Sequence, residues 1–401
     1  MKNEPLALLG GLTPEQFLSE YWQKKPLLVR NAVPEACELI TPDELAGLSL
    51  EDDVESRIVL EHGENQWELR HGPFDEDTFT SLPETNWSLL VQAVDHYVPA
   101  CSHLLDQFSF IPNWRIDDLM ISYAPDKGSV GPHHDYYDVF LIQGLGQREW
   151  RIGQHCDETT RLLKGLPLKI LESFEQTEGF VLNAGDMLYL PPALAHWGIA
   201  IEESMTLSVG FRAPSHLDLL QGYVDSIQEQ LTDNLRFDDP ALTLHENPGQ
   251  LTDHEINQVY QLLQKLVQNP AQVRHWLGKA LSESKYEKER LVPDESYLVQ
   301  EVMALLQEGY PFQRDETVRI LFTEQDGKID GFFANGEAIE LHEKMQPIAL
   351  YLSAHRSYDN LTLIRLCQSA LALQLLTDLL NKGIVYIAAE DDGQKDDGED
   401  E

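Results

Sequence analysis

Cysteine is scarce in this chain, and basic residues are fewer than half as frequent as acidic ones. The four cysteines, Cys37, Cys101, Cys156 and Cys367, lie far apart and form no Cys-x-x-Cys pair. That spacing excludes a disulfide framework and a zinc ribbon, and it fits a reducing cytoplasm. Long apolar runs are missing as well. The start, Met1-Lys2-Asn3-Glu4 leading to Thr13-Pro14-Glu15, holds only a short apolar stretch, so neither a signal peptide nor a membrane helix is predicted. Lys and Arg number 29 against 68 Asp and Glu, a formal net charge of -39. Such a surface repels phosphate backbones, because nucleic-acid affinity depends on cations that displace condensed counterions. Direct contact with DNA or RNA is therefore not expected. Two readings of the charge stay open: it keeps the protein in solution, or it steers a basic protein partner towards it. Part of it sits in the tail 390–401, which reads as disordered.

What is present is ordinary globular material, 42% hydrophobic over 401 residues, a length that implies two or three domains. Thr13 is placed to cap a helix with Pro14 at its first position, running to about 21, and 27–30 reads as strand. Short helices and strands mix over 33–110, with an apolar segment at 86–92. Strand signals then cluster at 115–123, 136–143, 148–152, 179–183, 187–190 and 205–211. Pro125-Asp126-Lys127-Gly128, Gly144-Leu145-Gly146 and Ala184-Gly185-Asp186 supply turns between them. Many short strands with frequent Gly and Pro turns indicate a small barrel or jelly roll whose mouth holds one ligand.

After Arg212-Ala213-Pro214 the spacing of Leu, Val and Ile becomes helical, over 217–232, 254–268 and 271–282. The last part mixes a helix at 297–307, strands at 318–322 and 331–333, a long helix at 361–382 and a strand at 385–388, a pattern compatible with a winged-helix module. The expected class is α+β, with a catalytic jelly roll over 1–214, a helical region over 215–290, a winged-helix-like domain over 291–389 and the acidic tail.

Chemistry concentrates in Gly131-Pro132-His133-His134-Asp135-Tyr136-Tyr137-Asp138. In an extended chain, side chains repeat on one face every second residue, so His133 and Asp135 point the same way and can share one ion, while His134 faces away. A third ligand is offered by His196, just past the Pro191-Pro192 turn. Two histidines and one carboxylate form the facial triad that holds non-haem Fe(II) with one side of the metal open. The open positions suit 2-oxoglutarate and dioxygen, and a distal carboxylate then needs a fixed cation. Arg148 can bind it bidentately, which a planar guanidinium does better than an ammonium. Asp118, Met120 and Ser122 share a face by the same period of two. If that face is interior, Asp118 needs a cation or donors to offset its desolvation, and a substrate arginine would bring both; the competing reading makes Asp117 and Asp118 a solvated turn. Tyr137 and Ser208 are candidates to line the same cavity, and Ser122 or Ser208 to donate to a carboxylate or carbonyl.

The segments 116–122, 130–140, 146–151 and 208–214, together with Tyr21-Trp22-Gln23-Lys24-Lys25-Pro26-Leu27-Leu28, resemble the bacterial JmjC-type ribosomal oxygenases, and closely those that hydroxylate an arginine of large-subunit ribosomal protein sixteen. The resemblance is strong to about 215 and looser beyond. It implies a cupin-like double-stranded β-helix, a helical dimerisation region and a winged-helix domain in a cytoplasmic homodimer. It also implies an Fe(II)- and 2-oxoglutarate-dependent dioxygenase that hydroxylates the β-carbon of an arginine in a basic ribosomal protein. His133, Asp135 and His196 fall on that family's metal ligands, and Arg148 on its residue for the distal carboxylate. Asp118, Met120, Tyr137 and Ser208 fall on positions associated with the substrate-arginine pocket. His134 departs from the pattern, in which an apolar residue is more usual. The rival readings are a related oxygenase acting on histidine or another residue, and a non-enzymatic ribosome-associated binding protein.

Overall fold

The computed structural model of the chain describes residues 4–63, 65–231, 236–240, 242–245, 247–285, 290 and 292–388, so the tail 390–401 lies outside the described residues. Among the described residues two compact units emerge, one over 4–213 and the other over 214–285 and 290–388.

The first unit opens with α1 (Pro14–Glu20), whose Thr13 accepts the Gln16 backbone N–H while the Gln16 side chain accepts that of Thr13. This reciprocal cap satisfies two donors that a helix start would otherwise leave bare. The same device starts α2 (Pro42–Leu48) from Thr41 and Glu44. Two further helices, α3 (Glu76–Thr80) and α4 (Pro99–Asp106), complete the unit's α-helices among the described residues. Its strands are β1 (Leu27–Val29), β2 (Ser56–Gly63), β3 (Gln66–His71), β4 (Trp87–Val91), β5 (Ile116–Ala124), β6 (Val139–His155), β7 (Glu178–Asn183), β8 (Met187–Leu190) and β9 (Leu194–Phe211). They form one antiparallel sheet in the order β1-β8-β6-β9-β5-β4-β2-β3, with β7 on β6.

Strand alternation gives this sheet two unlike faces. The outer face carries Ile58, Leu60, Leu89, Val91, Leu119, Ile121, Phe140, Ile142, Leu207 and Val209, all in one core cluster with Phe17, Leu45, Leu104 and Phe108 from the helices and loops that cover it. The inner face carries Met120, Ser122, Gln143, Thr206 and Ser208 in register across β5, β9 and β6.

The turn expected at Gly144-Leu145-Gly146 does not separate two strands. β6 continues through it to His155, with register shifts at Gln143/Leu145 and Gly146/Gln147. Before the shifts β6 pairs with β8; after them it pairs with β7. Gly144 is one extra residue opposite β9, so it reverses the inward parity of β6: Leu141 and Gln143 point in before it, Arg148, Trp150 and Ile152 after it. Glycine is required at Gly146, where φ is +61 and a Cβ would lie 1.9 Å from the Glu203 carbonyl oxygen; at Gly144 a Cβ would press on the Leu207 side chain, 2.5 Å away.

In the second unit the expected helical spacing appears as α5 (His216–Ile227), α6 (Asp253–Val267), α7 (Pro270–Ser282) and α8 (Val299–Glu308). A helix absent from the sequence reading, α9 (Gln346–Ala354), follows two short sheets' strands, β10 (Phe312–Arg314), β11 (Ile320–Gln325), β12 (Lys328–Ala334) and β13 (Glu337–Ala338). After it come β14 (Ser357–Tyr358), α10 (Asn360–Leu366), α11 (Ala370–Asn381) and β15 (Val385–Ile387). The single helix expected over 361–382 is thus two. α10 ends with Cys367 as its C-cap, and Ser369, extended at φ -84 and ψ 130, stands at the N-cap of α11. α11 buries Ala372, Leu373, Leu375, Leu376, Leu379 and Leu380, more than one face, as a central helix must.

Candidate metal centre and co-substrate pocket

The loop 131–138 is not the regular strand its alternation suggested. Only His133 pairs, in an isolated bridge with His196 whose two backbone hydrogen bonds measure 3.0 and 2.8 Å. The Pro191-Pro192 turn ends on Ala193 at φ 62, and from there the Ala193 N–H reaches the Asp135 carbonyl at 2.7 Å. These main-chain ties bring the two halves of the motif together. Ser129 adds a third: its hydroxyl takes the Trp197 indole N–H at 2.9 Å and the Gly131 N–H at 3.0 Å.

As a result one ligand atom each from His133, Asp135 and His196 lies within 4.8 Å of the others. The His133 Nδ1 sits 2.9 Å from the Gly131 carbonyl, and the His196 Nδ1 the same distance from that of Leu194. A carbonyl can only accept, so both Nδ1 atoms carry hydrogen and both Nε2 lone pairs are free to bind a cation. Such second partners are what fix a metal-binding imidazole in tautomer and orientation. Burial, then the neighbouring His133, pushes the His196 imidazole down to about 4, which keeps it neutral at physiological pH. Two neutral imidazoles and a carboxylate fit a ferrous ion well, and the three ligands leave part of its coordination sphere for exchangeable groups.

Arg148 lies on the inner face of β6 and is 3% exposed. Its Nη1 donates to Ser122 at 3.3 Å and Thr206 at 3.2 Å, its Nη2 reaches the Gly128 carbonyl at 3.5 Å, and its Nε has no partner. Among the described residues no carboxylate pairs with it. Desolvation alone lowers it to about 10. A buried guanidinium held only by neutral oxygens is strongly unfavourable unless an anion completes the site, and a small carboxylate supplies the missing charge.

Asp118 is buried, at 3% exposure, so the solvated-turn reading does not hold. The protein itself provides donors: Gln92 Nε2 at 2.6 Å and the Ala93 N–H at 3.1 Å, both to Oδ2. Asp117 instead pairs with Arg212 at 3.0 Å. Met120 and Ser208 stand opposite each other on β5 and β9, Ser208 buried and Met120 half-buried. Tyr137 is 41% exposed, yet burial of its phenol, then the Asp135 and Asp118 carboxylates, push its ionisation up. Ser122 contacts Arg148, as a co-substrate residue would. His134 stacks edge-on to Tyr136, and neither of its ring nitrogens has a hydrogen-bond partner.

Sequence reasoning missed Thr206, Gln143, Gln92 and Ser129. Thr206 lies two residues before Ser208 on one strand, so the period of two already marked it. Gln143, which accepts from Thr206 at 3.2 Å and donates to Ser204 at 3.0 Å, joins the row only through strand pairing.

With this geometry in place, comparison with known proteins is informative. The JmjC domain family matches residues 103–219, and the ROXA-like winged helix family matches 262–386, a match that begins within α6, ahead of the expected boundary at 291. The chain is 37% identical over 330 residues to the ribosomal protein uL16 3-hydroxylase of Escherichia coli, covering 81% of this chain and 84% of that protein. It is 38% identical to a probable ribosomal oxygenase of Haemophilus influenzae, covering 82% of each. The solved structure of YcfD, a ribosomal oxygenase from Escherichia coli, in complex with cobalt and 2-oxoglutarate superposes with a TM-score of 0.81 at 33% identity, over 94% of this chain and 99% of that one. The paired imidazoles and carboxylate, the anion-seeking arginine and these likenesses lead to one statement: the chain belongs to the JmjC-domain ribosomal oxygenases.

Proposed function

We propose that this protein is an Fe(II)- and 2-oxoglutarate-dependent dioxygenase that hydroxylates the β-carbon of an arginine in large-subunit ribosomal protein uL16. The observation that carries the reading is the combination of a three-ligand site with a buried, carboxylate-free Arg148 on the same inner face. When bound, ferrous iron supplies the oxygen-activating chemistry that side chains lack, with 2-oxoglutarate and dioxygen as co-substrates.

Everything else is positioning by this chain's residues. His133 and His196 present Nε2, and Asp135 an oxygen, to the ion. Arg148, held by Ser122 and Thr206, takes the distal carboxylate of 2-oxoglutarate. Asp118, oriented by Gln92 and the Ala93 N–H, offers charge to a substrate guanidinium, with Met120, Tyr137 and Ser208 as the pocket wall. A basic ribosomal protein also suits a surface carrying a net charge of -39.

A cytoplasmic homodimer is part of the same proposal. The four cysteines are free, three of them buried, and no described helix is long and apolar enough to cross a membrane. α6 leaves Ile256, Val259, Tyr260, Leu263 and Val267 exposed at helical spacing, and α5 leaves Leu217, Leu220 and Val224. A second copy is the natural cover for such a face. The deciding experiment is incubation of the protein with Fe(II), 2-oxoglutarate and an arginine-bearing uL16 peptide, read by mass spectrometry. Gain of one oxygen atom on the arginine is expected; succinate release without a modified peptide would send the search to another substrate.

A further inference from the structure

The inner-face row that ends at Gln143 begins at an arginine that neither the triad nor the Arg148 pocket uses. Arg57 on β2 stands opposite Leu90, Leu90 opposite Ser122, Ser122 opposite Thr206, and Thr206 opposite Gln143. Arg57 is therefore on the face that holds the site, two strand spacings, roughly 9–10 Å, from Ser122. Its guanidinium is half-buried and donates to the Met120 sulfur at 3.7 Å, a weak acceptor. No carboxylate of the described residues pairs with it. Five other arginines of this unit are ion-paired: Arg30 with Asp186, Arg70 with Glu68, Arg115 with Asp138, Arg151 with Glu149 and Arg212 with Asp117. In contact with Met120 of the substrate pocket, Arg57 thus keeps most of its donors for a ligand.

We propose that Arg57 is a substrate-contacting specificity residue, donating to a main-chain carbonyl of the bound polypeptide next to the target arginine. The inference rests on the arginine-hydroxylase reading and deepens it. A basic peptide offers few carboxylates, so its backbone oxygens are the acceptors that a second guanidinium in the pocket can use. The division of labour follows: Asp118 reads the side chain, Arg57 holds the chain that carries it. Carbonyl recognition is blind to side-chain identity and gives preference for polypeptide over free amino acid.

The test is steady-state hydroxylation of the uL16 peptide by wild type, Arg57→Met and Arg57→Lys, with 2-oxoglutarate binding measured in parallel. A hydrogen bond from a charged donor predicts that Arg57→Met raises KM about tenfold or more, leaves kcat and the 2-oxoglutarate Kd within about twofold, and that Arg57→Lys falls between. An unchanged KM in Arg57→Met overturns the proposal, as does a loss confined to kcat. Should Arg57→Met fail to fold, Arg57→Lys decides: a raised KM supports the contact and a wild-type KM overturns it. Oxygen transfer by wild type with an indifferent Arg57 defeats this inference alone, whereas no transfer by wild type defeats the substrate reading beneath it.

Discussion

The two faces of the nine-stranded sheet come from the same strands, residue by alternate residue, and yet they solve opposite problems. The outer face is closed: Phe140 is fully buried and lies 4.8 Å from the Tyr189 ring, 4.9 Å from Phe108 and 5.6 Å from both Phe17 and Phe211, centroid to centroid. The inner face is left open around its site, with an arginine that has no counter-ion among the described residues and three ligand atoms converging on one point. Part of the inner face is packed as well, through Leu141, Trp150 and Ile152, so packing is withheld only around the site, which is the usual trade where a protein is built to bind.

That division predicts which changes separate activity from folding. The largest effect on turnover is expected from Asp135→Ala or His133→Ala: succinate formation falls to background and Fe(II) retention is lost, while thermal unfolding stays close to wild type. Arg148→Met comes next. Truncating one partner of a buried charge pair costs about 2–5 kcal/mol, so the 2-oxoglutarate Kd should rise by roughly thirtyfold or more. In the absence of co-substrate the same variant should be no less stable than wild type, since an uncompensated buried cation has been removed; a lower melting temperature would contradict the account of that pocket. Phe140→Ala is the mirror image. Denaturant unfolding should show a loss of about 3–5 kcal/mol, with the folded fraction binding 2-oxoglutarate as before. The smallest expected effect is Thr206→Val, which removes one neutral partner of Arg148. Calorimetry should find 2-oxoglutarate affinity down by about fivefold, the scale of one hydrogen bond, with little change in stability.

Local pattern carried much of this into view. Thr13 and Pro14 spell a capped helix start, and it forms. His133, Asp135 and His196 were legible as chemistry, and the structure brings them together, although through a looped segment and main-chain ties rather than a regular strand. What escaped depends on pairing between distant strands. Nothing near Gln143 announces that it will sit beside Thr206, and nothing near Gln92 that its amide will reach Asp118. The break between α10 and α11 was missed for another reason: apolar spacing continues across Cys367 and Ser369, and periodicity does not register a turn of the main chain.

The inserted Gly144 has an evolutionary corollary. Because the extra residue is taken up in a bulge, losing it would set Gln143 and Leu145 side by side against Thr206 and Met205 and leave Arg148 and Trp150 facing the site. The bulge therefore gives this stretch one residue of slack in length: a single-codon deletion at Gly144 keeps the co-substrate cation in place, whereas straightening β6 with Gly144 retained would turn Arg148 to the opposite surface.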